Sequence, residues 1–368
     1  MSFSQDNLFE ILSWLPSKGD ACLFVQPDTV QGYNEEIELC SLSDEKQFSG
    51  VSNDVLGFLS KWTRVLDSCN GLILCRTTYK NPVELFICNP STQSWLSIPV
   101  PEYLQHNPNV NLKMKLECGN EILDSDDYKV TNFEDPIDWE SSSYYICNVF
   151  HPRGGAWKTM EKPFFVGPRR MKFDMPVHYN ESLHFISDCS TYFVKNNPYF
   201  RPYVMSYNLE NGNSSMLRVP KEARRGSHDL SCDMSIFKWS NLSSSVPQSI
   251  CLVRLKKFVF TIWVLKDYEL SSWSKIMKVR VRALGLKEKD PKVTAFTVMN
   301  GDILIFEVGN KVYSYGLNGK NYKRLEEVGK HKCNSKVCFI PYSNTLRPCG
   351  TGATTILSKP YCVILLQS

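Results

Sequence analysis

Six histidines are the first side chains to test for chemistry, since imidazole serves most often as metal ligand and proton shuttle. His106, His151, His178, His184, His228 and His331 show no H-x-x-x-H or His–Cys clustering, so no metal centre is expected. Asp124-Ser125-Asp126-Asp127, with Asp135, Asp138 and Glu140, is an acidic stretch without the regular spacing of a calcium loop, and reads as a solvated turn. Nothing singles out a pair of carboxylates for glycoside hydrolysis. A Gly-x-Ser-x-Gly elbow is missing. The glycine-rich run Gly350 to Thr355 lacks the third glycine and the Lys-Ser/Thr ending of a phosphate loop, and reads as a turn or a loose tail. These residues together predict no catalytic site, no cofactor and no metal.

The 14 cysteines contain no C-x-x-C pair. Cys75, Cys88, Cys147, Cys251 and Cys338 sit inside apolar runs, where a reduced thiol packs as a small hydrophobe. The first residues, Met1 to Asn7, carry no basic region followed by an apolar run, so secretion and lasting disulfides are not expected. No apolar stretch reaches the roughly 18 residues needed to cross a bilayer; Leu252 to Leu265 is interrupted by Arg254, Lys256 and Lys257. No membrane partner is expected.

Hydrophobic residues make up 42% and charged residues 22% of the 368, which describes a globular chain with a sizeable core. The formal net charge is only +4, and Arg169-Arg170, Arg224-Arg225, Lys256-Lys257 and Lys278 to Arg282 are small and scattered along the sequence. A nucleic-acid binder gathers such charge into one stripe. These clusters read as solvated surface, with no nucleic-acid partner.

The elements that would position any site are short β-like runs separated by turn residues from about residue 20 onward. An apolar strand, a turn, and then an aromatic followed by an aliphatic residue recur. Leu85 to Pro90 leads to Trp95 and Pro99, Tyr145 to Val149 to Trp157, and Val204 to Leu209 to Met216-Leu217 with the aromatic replaced. Phe260 to Leu265 leads to Trp273, and Val312 to Tyr315 to Tyr322. Asn70-Gly71, Asn180-Glu181 and Asn300-Gly301 each open a strand, and Asn-Gly suits a tight hairpin. The period of roughly 50 to 60 residues fits a four-stranded propeller blade. The reading is an all-β, propeller-like ring of about six blades, preferred over a sandwich of unrelated strands. Trp95, Trp157 and Trp273 are expected at equivalent blade positions. The sixth blade would join strands around Leu23-Phe24-Val25 and Ile37 to Cys40 with Ser335 to Ile340.

Two segments resemble the F-box-associated interaction domain of plant F-box proteins. The first runs Asp67-Ser68-Cys69-Asn70-Gly71-Leu72-Ile73-Leu74, then Cys88-Asn89-Pro90-Ser91-Thr92-Gln93-Ser94-Trp95, closing at Ile98-Pro99. The second is Phe339-Ile340-Pro341-Tyr342-Ser343-Asn344-Thr345-Leu346. Near the N-terminus, Leu8, Ile11, Leu12 and Leu15 form one apolar stripe at helical spacing, with Phe9 beside it and Pro16 at its end. This resembles the first helix of an F-box. After Lys18 the family's next two helices are missing, and Gly19 to Cys22 passes straight into β-like sequence. The organisation is therefore read as 1–18 a partial F-box helix, 19–346 the interaction domain, and 347–368 a tail of unknown structure.

The resemblance implies a cytosolic or nuclear substrate receptor of an SCF-type cullin ubiquitin ligase. It would meet a Skp-type adaptor through Leu8, Phe9, Ile11, Leu12, Leu15 and Pro16, and through the adaptor a cullin. Asn70, Gly71, Asn89, Pro90, Trp95, Pro99, Trp157, Trp273, Pro341 and Tyr342 are expected to be structural. The irregular segments Asn120 to Ser143 and Lys195 to Arg201 are the expected contact loops for an unidentified protein substrate. The alternatives are a stand-alone interaction propeller without ligase coupling, and a kelch-type propeller enzyme or lectin.

Overall fold

The computed structural model describes residues 21–28, 38–41, 63–77, 83–106, 112–119, 126–135, 143–189, 199–227, 229, 231–239, 248–286, 288, 291–299, 301–317, 325–333, 336–343 and 345–355. The proposed F-box stripe from Leu8 to Pro16 lies outside these residues. Two compact units divide the chain, one of 1–131, 149–158 and 331–368, the other of 132–148 and 159–330.

In the first unit, β1 (Ala21–Pro27) pairs with both β2 (Glu38–Ser41) and β24 (Val337–Ser343), antiparallel on each side. This is the pairing of chain ends expected from the sequence. Beside it, β3 (Thr63–Cys69), β4 (Leu72–Thr77), β5 (Leu85–Asn89) and β6 (Ser94–Ile98) form an antiparallel meander, and β25 (Thr354–Thr355) adds to the edge of β6. A further sheet, not confined to the first unit, runs β7 (Met114–Cys118), β8 (Tyr128–Glu134), β9 (Tyr144–Phe150), β10 (Trp157–Thr159), with β11 (Phe164–Phe165) also on β9.

The second unit contains three meanders. They are β12 (Val177–Tyr179), β13 (Ser182–Ile186), β14 (Val204–Asn208) and β15 (Ser214–Leu217); then β16 (Cys232–Trp239), β17 (Ser249–Lys256), β18 (Val259–Asp267) and β19 (Ser272–Arg280). The last is β20 (Val293–Met299), β21 (Ile303–Val308), β22 (Lys311–Gly316) and β23 (Leu325–Lys330).

This is an all-β propeller architecture. Five sheets have four strands or more, against the six or so blades expected; among the described residues, the sheet that joins the chain ends has three. The segment 120–143, expected to be irregular, holds β8 in its middle. Tyr128, Val130, Phe133 and their neighbours are buried there, and the acidic run before Tyr128 masked the strand in the sequence.

Inner strands carry apolar side chains on both faces because each sheet is covered on both sides. β17 (SICLVRLK) is buried at every position but the last, whereas β19 alternates with exposed lysines and arginines. Hairpin turns with positive φ at both central residues join them: Asn70 (45°) and Gly71 (81°), Asn180 (47°) and Glu181 (56°), Lys257 (48°) and Phe258 (60°). That is the turn whose twist matches paired strands. Gly301 is likewise at φ 75°, while Asn300 lies outside the described residues.

Candidate functional site

The signature residues from the two ends of the sequence meet in the first unit and fasten its C-terminal segment. Asn89 is fully buried, and its Nδ2 donates to the Thr345 carbonyl at 3.0 Å and to the Arg347 carbonyl at 2.6 Å. Its Oδ1 accepts from the Ser91 backbone N–H at 2.9 Å, which folds the turn that starts at Pro90. The Ser91 hydroxyl lies 3.2 Å from the Tyr342 hydroxyl, so the two family segments touch directly. Thr345 donates from Oγ1 to the Asn70 carbonyl at 2.9 Å. Gly71 stands against that hydroxyl: a Cβ there would meet Thr345 Oγ1 at 1.9 Å, and its φ of 81° is one that glycine adopts without strain.

Arg347 completes the fastening. Although its side chain is 0% exposed, it donates from Nη1 to the Gly119 carbonyl at 3.0 Å and from Nη2 to the Asp127 carbonyl at 2.6 Å, with the Asp127 carboxylate 3.5 Å away. Asp126 accepts from the backbone N–H of Thr351 at 3.0 Å and from its hydroxyl at 2.8 Å. Asp126 and Asp127, the two described acids of the run 124–127, therefore hold the segment Arg347 to Thr351 and are not the solvated turn expected. The run from Arg347 to Thr355 is part of the packed unit, with Cys349 buried and β25 paired to Trp95 and Ser94. Pro341 lies on β24 opposite Leu23 of β1.

Asp67, which opens the signature, does the same for the neighbouring sheet of this unit. Its carboxylate accepts from the Leu116 backbone N–H at 2.7 Å and from Lys115 Nζ at 3.0 Å.

The tryptophans recur as expected at two positions. Trp157, on the fourth strand of its sheet, donates from Nε1 at 2.8 Å to the carbonyl of Pro99, just past β6. Trp273, on the fourth strand of its own sheet, donates at 2.8 Å to the carbonyl of Arg218, just past β15. Trp95 also lies on the fourth strand of its sheet and packs against a cluster that includes Phe24, Val65, Cys75 and Tyr342.

Other titratable groups are used in packing. His184 is fully buried, with Nδ1 facing the carbonyls of Val177 and Ser182 and Nε2 2.8 Å from the Tyr268 hydroxyl. Burial holds its pKa down at about 4, so the ring is neutral at physiological pH. Arg169 is 2% exposed, a correction to its reading as surface; it donates to the carbonyls of Asp188, Tyr199 and Phe200 and pairs with the Asp188 carboxylate at 3.1 Å. Arg254 reaches the carbonyls of Glu222 and Ala223 at 2.8 and 3.1 Å and lies over the Trp263 ring. Sequence reasoning missed all three buried arginines: Arg169 stands beside Arg170 and reads with it as surface, and the carbonyls that close around Arg254 and Arg347 lie far from them in sequence. Twelve cysteines among the described residues carry free thiols. Among the described residues no group of three or more His, Cys, Asp or Glu is arranged to hold a metal.

The architecture and the fastened C-terminal segment define a β-propeller protein. Its sequence matches the family described as "F-box protein At3g26010-like, beta-propeller" over residues 58–300, and the chain belongs to that family. A search of curated proteins finds no match. Among solved structures, a mutant of AofleA from Arthrobotrys oligospora aligns with TM-score 0.42 and 8% identity over 77% of this chain and 79% of that one. Oligogalacturonate lyase from Vibrio parahaemolyticus aligns with TM-score 0.36 and 10% identity over 86% and 88%. The β-propeller domain of the Trilobed protease from Pyrococcus furiosus aligns with TM-score 0.35 and 8% identity over 73% and 86%. At these values the likenesses carry no inference about function.

Proposed function

We propose that the chain is the substrate-recognition subunit of an SCF-type cullin ubiquitin ligase, acting by binding and not by catalysis. The observation that carries this reading is membership of an F-box protein propeller family across residues 58–300. On this reading the propeller holds the target protein, the three-stranded sheet counts as the sixth blade, and the protein works in the cytosol or nucleus. Leu8, Phe9, Ile11, Leu12, Leu15 and Pro16 would face a Skp-type adaptor.

Adaptor binding by this form is weak. β1 starts at Ala21, which leaves no length for further helices between Lys18 and the propeller. Burying each Leu, Ile or Phe of a single stripe contributes roughly 1.5–3 kcal/mol. Ordering the helix costs about 1–2 kcal/mol per residue, and docking costs several kcal/mol more. The costs equal or exceed the gain. Calorimetric titration with the adaptor, beside a version carrying the two missing helices after Lys18, checks this. The grafted form should bind at least about a hundredfold more tightly, a difference of about 2.7 kcal/mol. Equal tight binding would overturn the weak-coupling argument, and no binding by either would overturn the receptor reading. The same missing length favours, as second reading, a stand-alone propeller that competes with complete relatives for targets.

A further inference from the structure

Three of the basic pairs that the sequence scatters are gathered by the second unit around the short helix Lys221–Arg224. Arg201 donates from Nη1 to the Arg224 carbonyl at 2.5 Å. Burial first, and then the neighbouring charges of Arg201 and Arg218, hold the Arg224 guanidinium below its ordinary pKa, so the three lie close enough to repel one another. Arg254, inserted beneath, gathers the helix carbonyls, and Gly226 at φ 63° leaves open the place taken by the Lys256 ammonium.

β19 supplies the other side of the surface. Lys275 stands opposite Trp263, Lys278 opposite Thr261 and Arg280 opposite Val259. The irregularity between Ile262 and Trp263 leaves Ile276 as the extra residue. Strict alternation would send Lys275 and Lys278 to opposite faces; the bulge puts them on one. Four acids lie in or beside this surface: Glu222, Asp229, Asp267, whose carboxylate accepts from the Leu270 N–H at 2.8 Å, and Glu269, exposed next to Leu270. Glu222 pairs with Lys275 at 2.9 Å, and Asp229 accepts from Ser231 and lies 3.6 Å from Lys257. Among the described residues no ion pair engages Arg201, Arg218 or Arg224, while Lys278 shares the charge of Glu222 with Lys275. Exposed aliphatic groups sit between the cations: Met216 (42% exposed) two residues before Arg218, Leu270 (78%) beside the Ser271 that accepts from the Arg218 N–H, and Ile276 (40%).

We propose that this surface docks an extended acidic segment of a partner protein, with its carboxylates on the Arg201–Arg218–Arg224 and Lys278–Arg280 cations and its aliphatic side chains against Met216, Leu270 and Ile276. Charge complementarity selects the occupant: a band in which cations outnumber acids lowers its own repulsion by binding an anion. The exposed groups between Arg218 and Lys278, Met216, Leu270 and Ile276, are aliphatic, which suits side chains better than stacked bases, for which aromatic platforms are the usual partner. Two aromatic rings border the surface, Phe200 under the Arg201 guanidinium and Phe258, whose carbonyl accepts from the Val281 N–H next to Arg280, so a stacked nucleic-acid strand is the rival occupant in the test. The inference rests on the reading of the propeller as a target-binding domain and names the class of segment it would bind.

The test uses the full chain and fluorescence anisotropy with a labelled peptide rich in Asp and Glu and carrying leucines. The control peptide has Asn and Gln in their place, and a labelled oligo-dT strand is the competing probe. The acidic peptide should bind in a salt-sensitive manner, and the control peptide and the strand at least about tenfold more weakly. Arg218→Glu with Lys278→Glu should weaken peptide binding at least about tenfold, and Lys238→Glu, on the exposed face of β16, should not. Should the charge reversal unfold the protein, Arg218→Gln with Lys278→Gln replaces it, with circular dichroism confirming the fold. Binding of oligo-dT equal to or tighter than that of the peptide, or peptide binding indifferent to both substitutions, overturns the proposal. The peptide assay needs no adaptor. Absent peptide binding beside adaptor binding by the grafted form sinks this inference alone, and peptide binding beside no adaptor binding by either form sinks the ligase reading alone.

Discussion

Asn89 makes three hydrogen bonds from a fully buried position, two of them to carbonyls of the C-terminal segment. Truncating one partner of a buried bond leaves the other unsatisfied, at about 1–3 kcal/mol each. Asn89→Ala should therefore lower stability by about 2–5 kcal/mol in chemical denaturation. Asn89→Asp should be no better, because an ionised carboxylate cannot donate to the Thr345 and Arg347 carbonyls; a mild Asn89→Asp would contradict the assigned donor. His184 gives a pH-dependent case. Its folded pKa of about 4 lies below the ordinary 6.5, so the unfolded chain takes up a proton between those values that the folded one refuses. Its contribution is fully present above about pH 6.5 and is lost as pH falls toward 4, about 3 kcal/mol in all. Thermal midpoints should fall across that window, and His184→Gln should flatten the slope. An unchanged slope would show that other groups govern the acid limb.

At the scale of the element, Trp157 and Trp273 do one job twice, each tying the fourth strand of its sheet to a carbonyl just past an earlier fourth strand. Phenylalanine at either position keeps the ring and loses the N–H. Each substitution should cost about 0.5–1.5 kcal/mol, by closely similar amounts, in a denaturant titration. A several-fold disparity would mean that the two positions are not equivalent. Their recurrence was legible in the sequence because the aromatic follows an apolar strand and a turn each time. So were the Asn70-Gly71 hairpin and the joining of Leu23-Phe24-Val25 to the strand that ends the family segment. The Lys257-Phe258 turn was not legible, since neither residue type favours positive φ and the tight hairpin there is imposed by the pairing of β17 with β18. β8 was hidden for a different reason: its acidic approach looks like solvated loop until Arg347 and Thr351, more than two hundred residues on, arrive to hold it. Long-range partners of that kind leave no local pattern.

On the scale of the whole molecule, residues 347–355, just past the recognisable family segment, turn out to be structural. Ending the chain after Ser343 removes Thr345, Arg347, Cys349 and Thr351 with every bond they make to Asn70, Asn89, Gly119 and Asp126. Ending it after Thr355 keeps all of these. The first truncation should abolish cooperative unfolding of the unit that contains β1 or sharply reduce soluble yield, and the second serves as its control. A Ser343 form as stable as the Thr355 form would mean that the fastening is dispensable. The pairing of β1 with β24 also has a consequence in time. On the ribosome β1 emerges early, and on the order of 300 residues must follow before β24 exists, about 15–60 s at ordinary elongation rates of roughly 5–20 residues per second. Through that interval the apolar strand Ala21–Pro27 has one edge open, a template for pairing with any other nascent chain on the same messenger. Newborn copies are thus most exposed to one another, and most in need of a chaperone, while the second unit, whose main segment 159–330 is already made, can fold ahead of the first.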